Sequence, residues 1–477
     1  MELRSLSSFY KFLLDRKTEV ALVIAVIMYA SFFSYITVMK HLSFQSTVMD
    51  LGLFDQVFWT TLHGDFFYTS MEGGHCHFAH HNSPILFAVL PLYLLFPHPE
   101  TLLVLQSILL ALGAVPLYLL ARDEIGKTGA LVISCAYLLY PPLHGVNLFD
   151  FHELAFAPVI LFTCFYFLMK GRINYFLAFS ILALMIKEDI ALVVAMMGVY
   201  GLWQKKYPDA HGRYKLYGLI GLTTIWVLVS LFVVVPYFSA SGSYPYYSRY
   251  DLGDPVGMLF SNLPQKLAYL AGMLIPIALL PLASPSIFLI AVPSILEIIL
   301  QSHPYVYTAD LHHCSAFIPV FFVAAVFGIK RLACKPESQT KKPKKRISSS
   351  PKSESVHSRL TLVLLLLMAF SIGAFLINSQ ASPISMGHRD YTITQHHEYL
   401  NAAIAMIPPD ASVSTQNDIG AHLMHRHEVY LSFVDGVDYV LADVTLPWIL
   451  DPKLHEQDYS GYELIYQEDG VFLFKRM

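Results

Sequence analysis

The chain has 477 residues, of which 55% are hydrophobic and only 14% charged, with a formal net charge of −4 and a mean hydropathy of +0.51. A soluble protein carries roughly 25% charged residues, so this deficit, together with long apolar runs, excludes an ordinary soluble enzyme and points to a polytopic membrane protein. No extended basic face lies outside the loops assigned to the cytoplasm, which argues against nucleic acid as a partner. The absence of P-loop, GxGxxG, GxSxG and HExxH patterns argues against cytosolic nucleotide hydrolysis.

In chain order, residues 20–39 form a first span, too long for a signal peptide and lacking a small-residue cleavage site. Arg4, Lys11, Arg16 and Lys17 before it place the N-terminus in the cytoplasm and loop 41–83 outside. Residues 84–96 are apolar but too short to cross a core about 30 Å thick at about 1.5 Å per residue, so they are read as a helix in the outer interface. Further spans are expected at 101–121, 128–142, 155–169, 174–186, 190–203, 217–236, 266–282, 285–300, 314–329 and 360–377, eleven in all. Residues 330–352 carry nine lysines and arginines, whereas 41–83 carry none. That asymmetry sets the orientation, and the Ser-rich basic linker 330–358 is expected inside and without fixed structure.

The fold class expected is therefore mainly α, a polytopic helical membrane domain (1–379) in the cell membrane followed by a small extracytoplasmic domain (380–477). In the tail, 392–406 reads as a helix, while 412–415, 429–431, 439–442, 462–467 and 471–475 have strand character, a small α/β or α+β unit.

The stretch 48–83 concentrates the chemistry, with four carboxylates, five histidines and no lysine or arginine. Asp50 and Asp55 follow the first span at the water–lipid boundary, where a carboxylate can act as general base on a hydroxyl or hold a divalent cation. Five residues on a helix turn about 140°, so the two need not face one site; helix capping or a solvated loop is the plainer alternative. His75, His77 and His81, with Glu72, offer ligands for zinc, manganese or magnesium; a polar interfacial loop with one structural histidine remains the alternative. Asp150, His152 and Glu153 crowd into FDFHE, and Lys187, Glu188 and Asp189 interrupt an apolar hairpin. Acidic residues at a membrane boundary are costly unless paired or functional. Lys187 and Arg249 are among the few cations expected outside and so are candidates for an anionic headgroup. His313, after His312, opens an inward span and is a further candidate to face the same side. Cys76 and Cys314 could share a compartment, so a disulfide between them is an open option.

The segments MDLGLFDQVFW (49–59), HNSPILFAVLPLYLLFP (81–97), FDFHELAFAP (149–158), IKEDIAL (186–192) and PPDASVSTQNDIGAHLMHRHEVY (408–430) resemble a prokaryotic integral-membrane family, the domain of unknown function numbered twenty seventy-nine. More distantly, the layout resembles the GT-C superfamily of lipid-sugar-dependent glycosyltransferases. Asp50 falls where their first-loop catalytic Asp falls, residues 83–96 resemble their interfacial helix, and 187–189 a similar hairpin tip. A clean DxD or Asp-Glu pair after the first span is missing here, and the histidine cluster is not a general feature of that superfamily. The resemblance implies an inverting transfer of a sugar from a polyprenyl-phosphate donor to a glycan, lipid or protein acceptor on the outer face. Asp50 or Asp55 would be the base, with Lys187 and Arg249 on the phosphate. A transporter or flippase, which would want charges deep in the spans, and a non-enzymatic membrane binding protein are the competing classes.

Overall fold

The computed structural model describes residues 16–71, 76–251, 253–308, 311–334, 351–387, 389–445 and 461–477. The protein is a helical membrane bundle carrying a small C-terminal sheet. Lys17–Leu42, Pro99–Leu138, Ala210–Phe238 and Val356–Met386 are long and apolar enough to cross a bilayer, and Pro84–Leu95, Glu153–Met169, Ile173–Leu184, Ile190–Trp203 and Pro285–Ile299 are shorter apolar helices. Their outward surfaces expose large apolar side chains such as Met28, Tyr35, Leu95, Phe232 and Leu365, as a chain solvated by lipid should. Most of the basic linker, 335–350, lies outside the described residues.

The 40-residue run Pro99–Leu138 is a hairpin. Gly126 sits at φ +78°, ψ 170° inside it, a conformation open to glycine because it has no Cβ. Past this turn the chain folds back. Ser134 Oγ donates to the Ala114 carbonyl (3.3 Å) and Tyr137 OH to the Leu110 carbonyl (2.8 Å). The two separate helices expected at 101–121 and 128–142 thus meet at a glycine. At the centre of the bundle every residue from Cys314 to Val326 is buried.

One expectation changes. Residues 285–300 hold the expected helix, Pro285–Ile299, with a 3-10 turn at Leu289–Ala291 within it, whereas 266–282 is broken into Leu263–Leu274, Ile275–Ile277 and Leu280–Ala283. Pro276 and Pro281 each remove a backbone donor and clash with the preceding turn, and Ala278 and Leu279 take φ of +54° and +56° between them.

The tail forms one sheet of strands β1 (Val413–Thr415), β2 (Val429–Tyr430), β3 (Tyr439–Asp443), β4 (Tyr462–Glu468) and β5 (Val471–Arg476) in the order β2-β1-β3-β5-β4. β1 pairs in parallel with β2 and β3, whereas β5 pairs antiparallel with β3 and β4. The helix Gln395–Ala405 packs on it, and Leu400 and Ala403 join Val413, Leu441 and Leu473 in one core. Phe44 and Val48, from the loop after the first span, complete that same core. The sheet is therefore docked onto the start of the loop, not tethered beside it.

Candidate active site

After the first span the chain reverses through Phe44 (φ +54°) and enters a single π-turn, Val48–Gly52, before the helix Leu53–Leu62. Such turns widen a helix and are frequent at functional sites. Its leading amides are held by distant side chains: Thr47 N–H donates to Asp150 Oδ2 (2.9 Å) and Val48 N–H to Asn417 Oδ1 (2.9 Å). Close packing seats the turn as well. A Cβ on Gly420 would collide with Val48 Cγ2, and one on Gly52 would sit 3.0 Å from Met424 Cγ.

This turn carries Asp50 to the wall of a cavity of about 730 Å3. Thr47 Oγ1 donates to Asp50 Oδ2 (2.8 Å), and His152 Nε2 stands 3.1 Å from Asp50 Oδ1. Burial acts to raise the Asp50 pKa, but the His152 bond and charge outweigh it and hold Asp50 below the usual carboxylate range. Burial likewise acts to lower His152, and Asp50 outweighs it, so the imidazole is raised. The pair is thus an ion pair with its histidine stacked on His312, ring centroids 3.7 Å apart.

Opposite lies the hairpin tip. Lys187 Nζ is 3.9 Å from Asp189 Oδ2. Burial acts to lower the Lys187 pKa, yet the carboxylates Asp189, Glu153 and Glu188 keep it raised, so it stays cationic. Glu188 is an anchor: it accepts from the Asn82 amide (2.9 Å) and from Tyr244 OH (3.3 Å), with His81 Nδ1 at 2.8 Å. Burial, then Lys187, drives His81 well below its ordinary value, so it donates to Glu188 as a neutral ring. The Arg249 guanidinium lies over the Tyr246 ring, 4.1 Å from its centroid. Burial and Lys187 push His313 down to about 3.

Of the residues singled out in the sequence, Asp50, His77, His81, His152, Glu153, Lys187, Glu188, Asp189, Arg249 and His313 line this one cavity. Asp55 and Asp150 do not. Asp55 is 2% exposed and engaged elsewhere: it accepts a short hydrogen bond from Tyr93 OH, and its Oδ2 is 3.1 Å from His425 Nε2. Asp150 is a positioning residue, with φ +97°, whose Oδ1 is 2.6 Å from Lys40 Nζ while Oδ2 holds Thr47. Burial raises its pKa, and Lys40 opposes that. His75 lies outside the described residues. Among the described residues no group of three or more His, Cys, Asp or Glu side chains is arranged to hold a metal ion; Glu72, like His75, lies outside the described residues, so the ligand set read from the sequence is described only at His77 and His81. Cys76 and Cys314 are not joined to each other in a disulfide.

Sequence reasoning did not select Thr47, Asn417 or Gln301 for the site, and nothing local distinguishes them; Gln301 lines the cavity through folding alone, beside Tyr244 of the tyrosine-rich stretch around Arg249.

The helical bundle and the sheet docked on it define a polytopic helical membrane protein with a small C-terminal sheet domain. ArnT from Cupriavidus metallidurans bound to undecaprenyl phosphate matches with TM-score 0.56 at 13% identity, covering 95% of this chain and 97% of that one. Its apo state matches equally. The Archaeoglobus fulgidus oligosaccharyltransferase tethered to an acceptor peptide gives TM-score 0.43 at 12% identity, over 98% of this chain and 75% of that one. No curated protein matches the sequence. The chain belongs to the DUF2079 family of predicted membrane proteins, whose profile matches residues 40–473.

Proposed function

We propose that this protein is a membrane glycosyltransferase that moves a sugar from a polyprenyl-phosphate-linked donor to a hydroxyl acceptor on the outer membrane face, with inversion. The observation that carries the reading is Asp50, a charged carboxylate on a braced π-turn, in one cavity with the two cations Lys187 and Arg249. The architecture shared with ArnT supports it, and the polyprenyl phosphate seen in that protein suggests the donor class. In the step, the acceptor oxygen attacks the anomeric carbon as the bond from that carbon to the phosphate oxygen breaks. The acceptor proton passes to Asp50, and the polyprenyl phosphate leaves with the electron pair. Lys187 and Arg249 bind the phosphate and stabilise the charge developing on it. The docked sheet closes one side of the first loop and helps select the acceptor. A divalent cation, if the reaction uses one, would assist the same phosphate.

The test is turnover of radiolabelled polyprenyl-phosphate sugars by purified protein in detergent, with and without added divalent cation. Release of sugar by the wild type, lost in a folded Asp50→Asn variant, supports the assignment. Equal turnover by the variant rejects Asp50 as base, and no turnover across a broad donor panel favours transport or binding instead.

A further inference from the structure

His152 carries its charge in a seat that is polar on one side only. Its Nε2 meets Asp50 Oδ1 at 3.1 Å, but its Nδ1 is buried with no hydrogen-bond partner in the protein. The residue is 8% exposed. Burial is the largest influence against the imidazolium; Asp50 and then Glu153 act for it, and Lys187 acts against it. An unpaired N–H on a buried cation is costly.

The rest of the ring rests on aromatic neighbours. His312 stacks on it, with centroids 3.7 Å apart and planes 18° from parallel. Phe149 lies against both rings, 5.4 Å from His152 and 5.2 Å from His312. The face of a neutral aromatic ring is electron-rich and attracts a cation placed over it. His312 is such a ring, because burial, then the His152 charge, drives it well below its ordinary value. No hydrogen bond holds its Nδ1, so its orientation comes from the rings around it, including His313 at 4.3 Å. Its mounting is rigid: it opens the 3-10 turn His312–Ala316, which runs into the buried central helix Ile318–Ala333.

From this we infer that His312 is a positioning residue, whose neutral ring, stacked on His152, keeps that imidazolium charged and aimed at Asp50. For its consequence in turnover the inference rests on the glycosyltransferase reading, to which it adds a residue that acts through His152. With the His152 charge held, Asp50 stays ionised and fixed, ready to take the acceptor proton. The other titratable groups acting on the stacked pair are Asp50, Glu153, Lys187, His81 and His313, and all of them remain in the variants below. A cation that loses an attractive face gives up its proton more easily, so removing the His312 ring lowers the His152 pKa. The pairing with Asp50 is then lost at a lower pH on the alkaline side. The acid side, set by Asp50 while His152 is still charged, stays in place.

The experiment is an NMR titration of the histidine ring resonances in isotope-labelled full-length protein in detergent, alongside the pH profile of kcat. The His152 signal is assigned by its loss in His152→Gln. In His312→Leu, which fills the space without an aromatic face, His152 should titrate about half to one and a half pH units lower than in the wild type. The alkaline limb of kcat should fall with it while the acid limb stays. His312→Phe, which restores a neutral aromatic face, should bring both back toward the wild type. If the leucine variant does not fold, Phe149→Leu, which frees the side of the stack, should shift His152 in the same direction. An unshifted His152 in the leucine variants, or His312→Phe behaving as His312→Leu does, overturns the inference and leaves the transferase reading standing. A shifted His152 with no sugar released by any form, wild type included, upholds the stacking role and overturns the transferase reading.

Discussion

Asp50 and His152 meet at 3.1 Å, Oδ1 to Nε2, across the cavity wall, and they end a continuous polar chain that starts in the first span. Lys40 Nζ is 2.6 Å from Asp150 Oδ1, Asp150 Oδ2 accepts from the Thr47 amide at 2.9 Å, and Thr47 Oγ1 donates to Asp50 Oδ2 at 2.8 Å. Both oxygens of Asp50 are thus fixed by groups that stabilise its charge, which holds the carboxylate in one geometry before any substrate arrives.

The two candidate carboxylates should separate cleanly. Asp50→Asn is expected to lower the single-turnover rate about 10²- to 10⁴-fold, the usual contribution of a positioned general base, and to destabilise by about 1–3 kcal/mol as well, because His152 and Thr47 lose a charged acceptor. Asp55→Asn should keep most of the rate and destabilise by about 1–3 kcal/mol, because Tyr93 and His425 lose a buried charged acceptor. Rates and thermal melts of the two variants in the same detergent decide it; equal loss of rate in both would reject the division.

The ion pair sets a pH window. Asp50 is depressed, so its stabilising contribution is present above the ordinary Asp value and lost as pH falls through the folded value. His152 is raised, so its contribution is complete below the ordinary His value and lost as pH rises through the folded one. The pair therefore stabilises most between about pH 4 and about pH 6.5. His152→Gln removes the main cause holding Asp50 down and leaves burial, so the acid limb of the kcat profile should move to higher pH. A limb that stays put or moves down contradicts the coupling.

Docking of the sheet can be tested at Gly420. Alanine there must displace Val48, the first residue of the π-turn, and overpacking of this kind costs typically about 1–3 kcal/mol. We expect a lowered melting temperature and a rate loss that exceeds it. Asn417→Ala, which frees the Val48 amide without adding bulk, should lower the rate with a smaller change in stability. A full rate in both variants would show that the turn does not need the sheet.

The buried pair Lys40–Asp150 should behave asymmetrically. Lys40→Met leaves Asp150 charged and unpaired, at an expected cost of about 3–5 kcal/mol. Adding Asp150→Asn to Lys40→Met should restore much of that, since the asparagine tolerates the φ of +97° and still accepts from Thr47. Chemical denaturation of the single and double variants measures the difference.

Much of the site was readable because charge in an apolar chain is conspicuous. Lys187, Glu188 and Asp189 break a hydrophobic hairpin, and FDFHE breaks another, so each declared itself without any partner in view. Asp55 and Asp150 declared themselves equally, yet neither lines the cavity. Their partners, Tyr93 and His425 for one and Lys40 and Thr47 for the other, come from distant segments, and no local pattern separates an acid that will be neutralised from one that will face a cavity. The segment 263–283 departs from the expected span for another reason: its hydrophobicity is continuous, whereas its prolines decide where the backbone can be helical.

Apolar periodicity and length determined by themselves that the chain belongs in a membrane and ends in a small mixed sheet, because burial of nonpolar surface in lipid is a property of composition summed over each segment. Tertiary structure alone decided which carboxylate is presented and which is spent on scaffolding, since a charge's role depends on what stands within about 4 Å of it. At Asp50 that is His152, on a separate segment, together with a π-turn held in place by Asn417 and Gly420 of the C-terminal sheet domain.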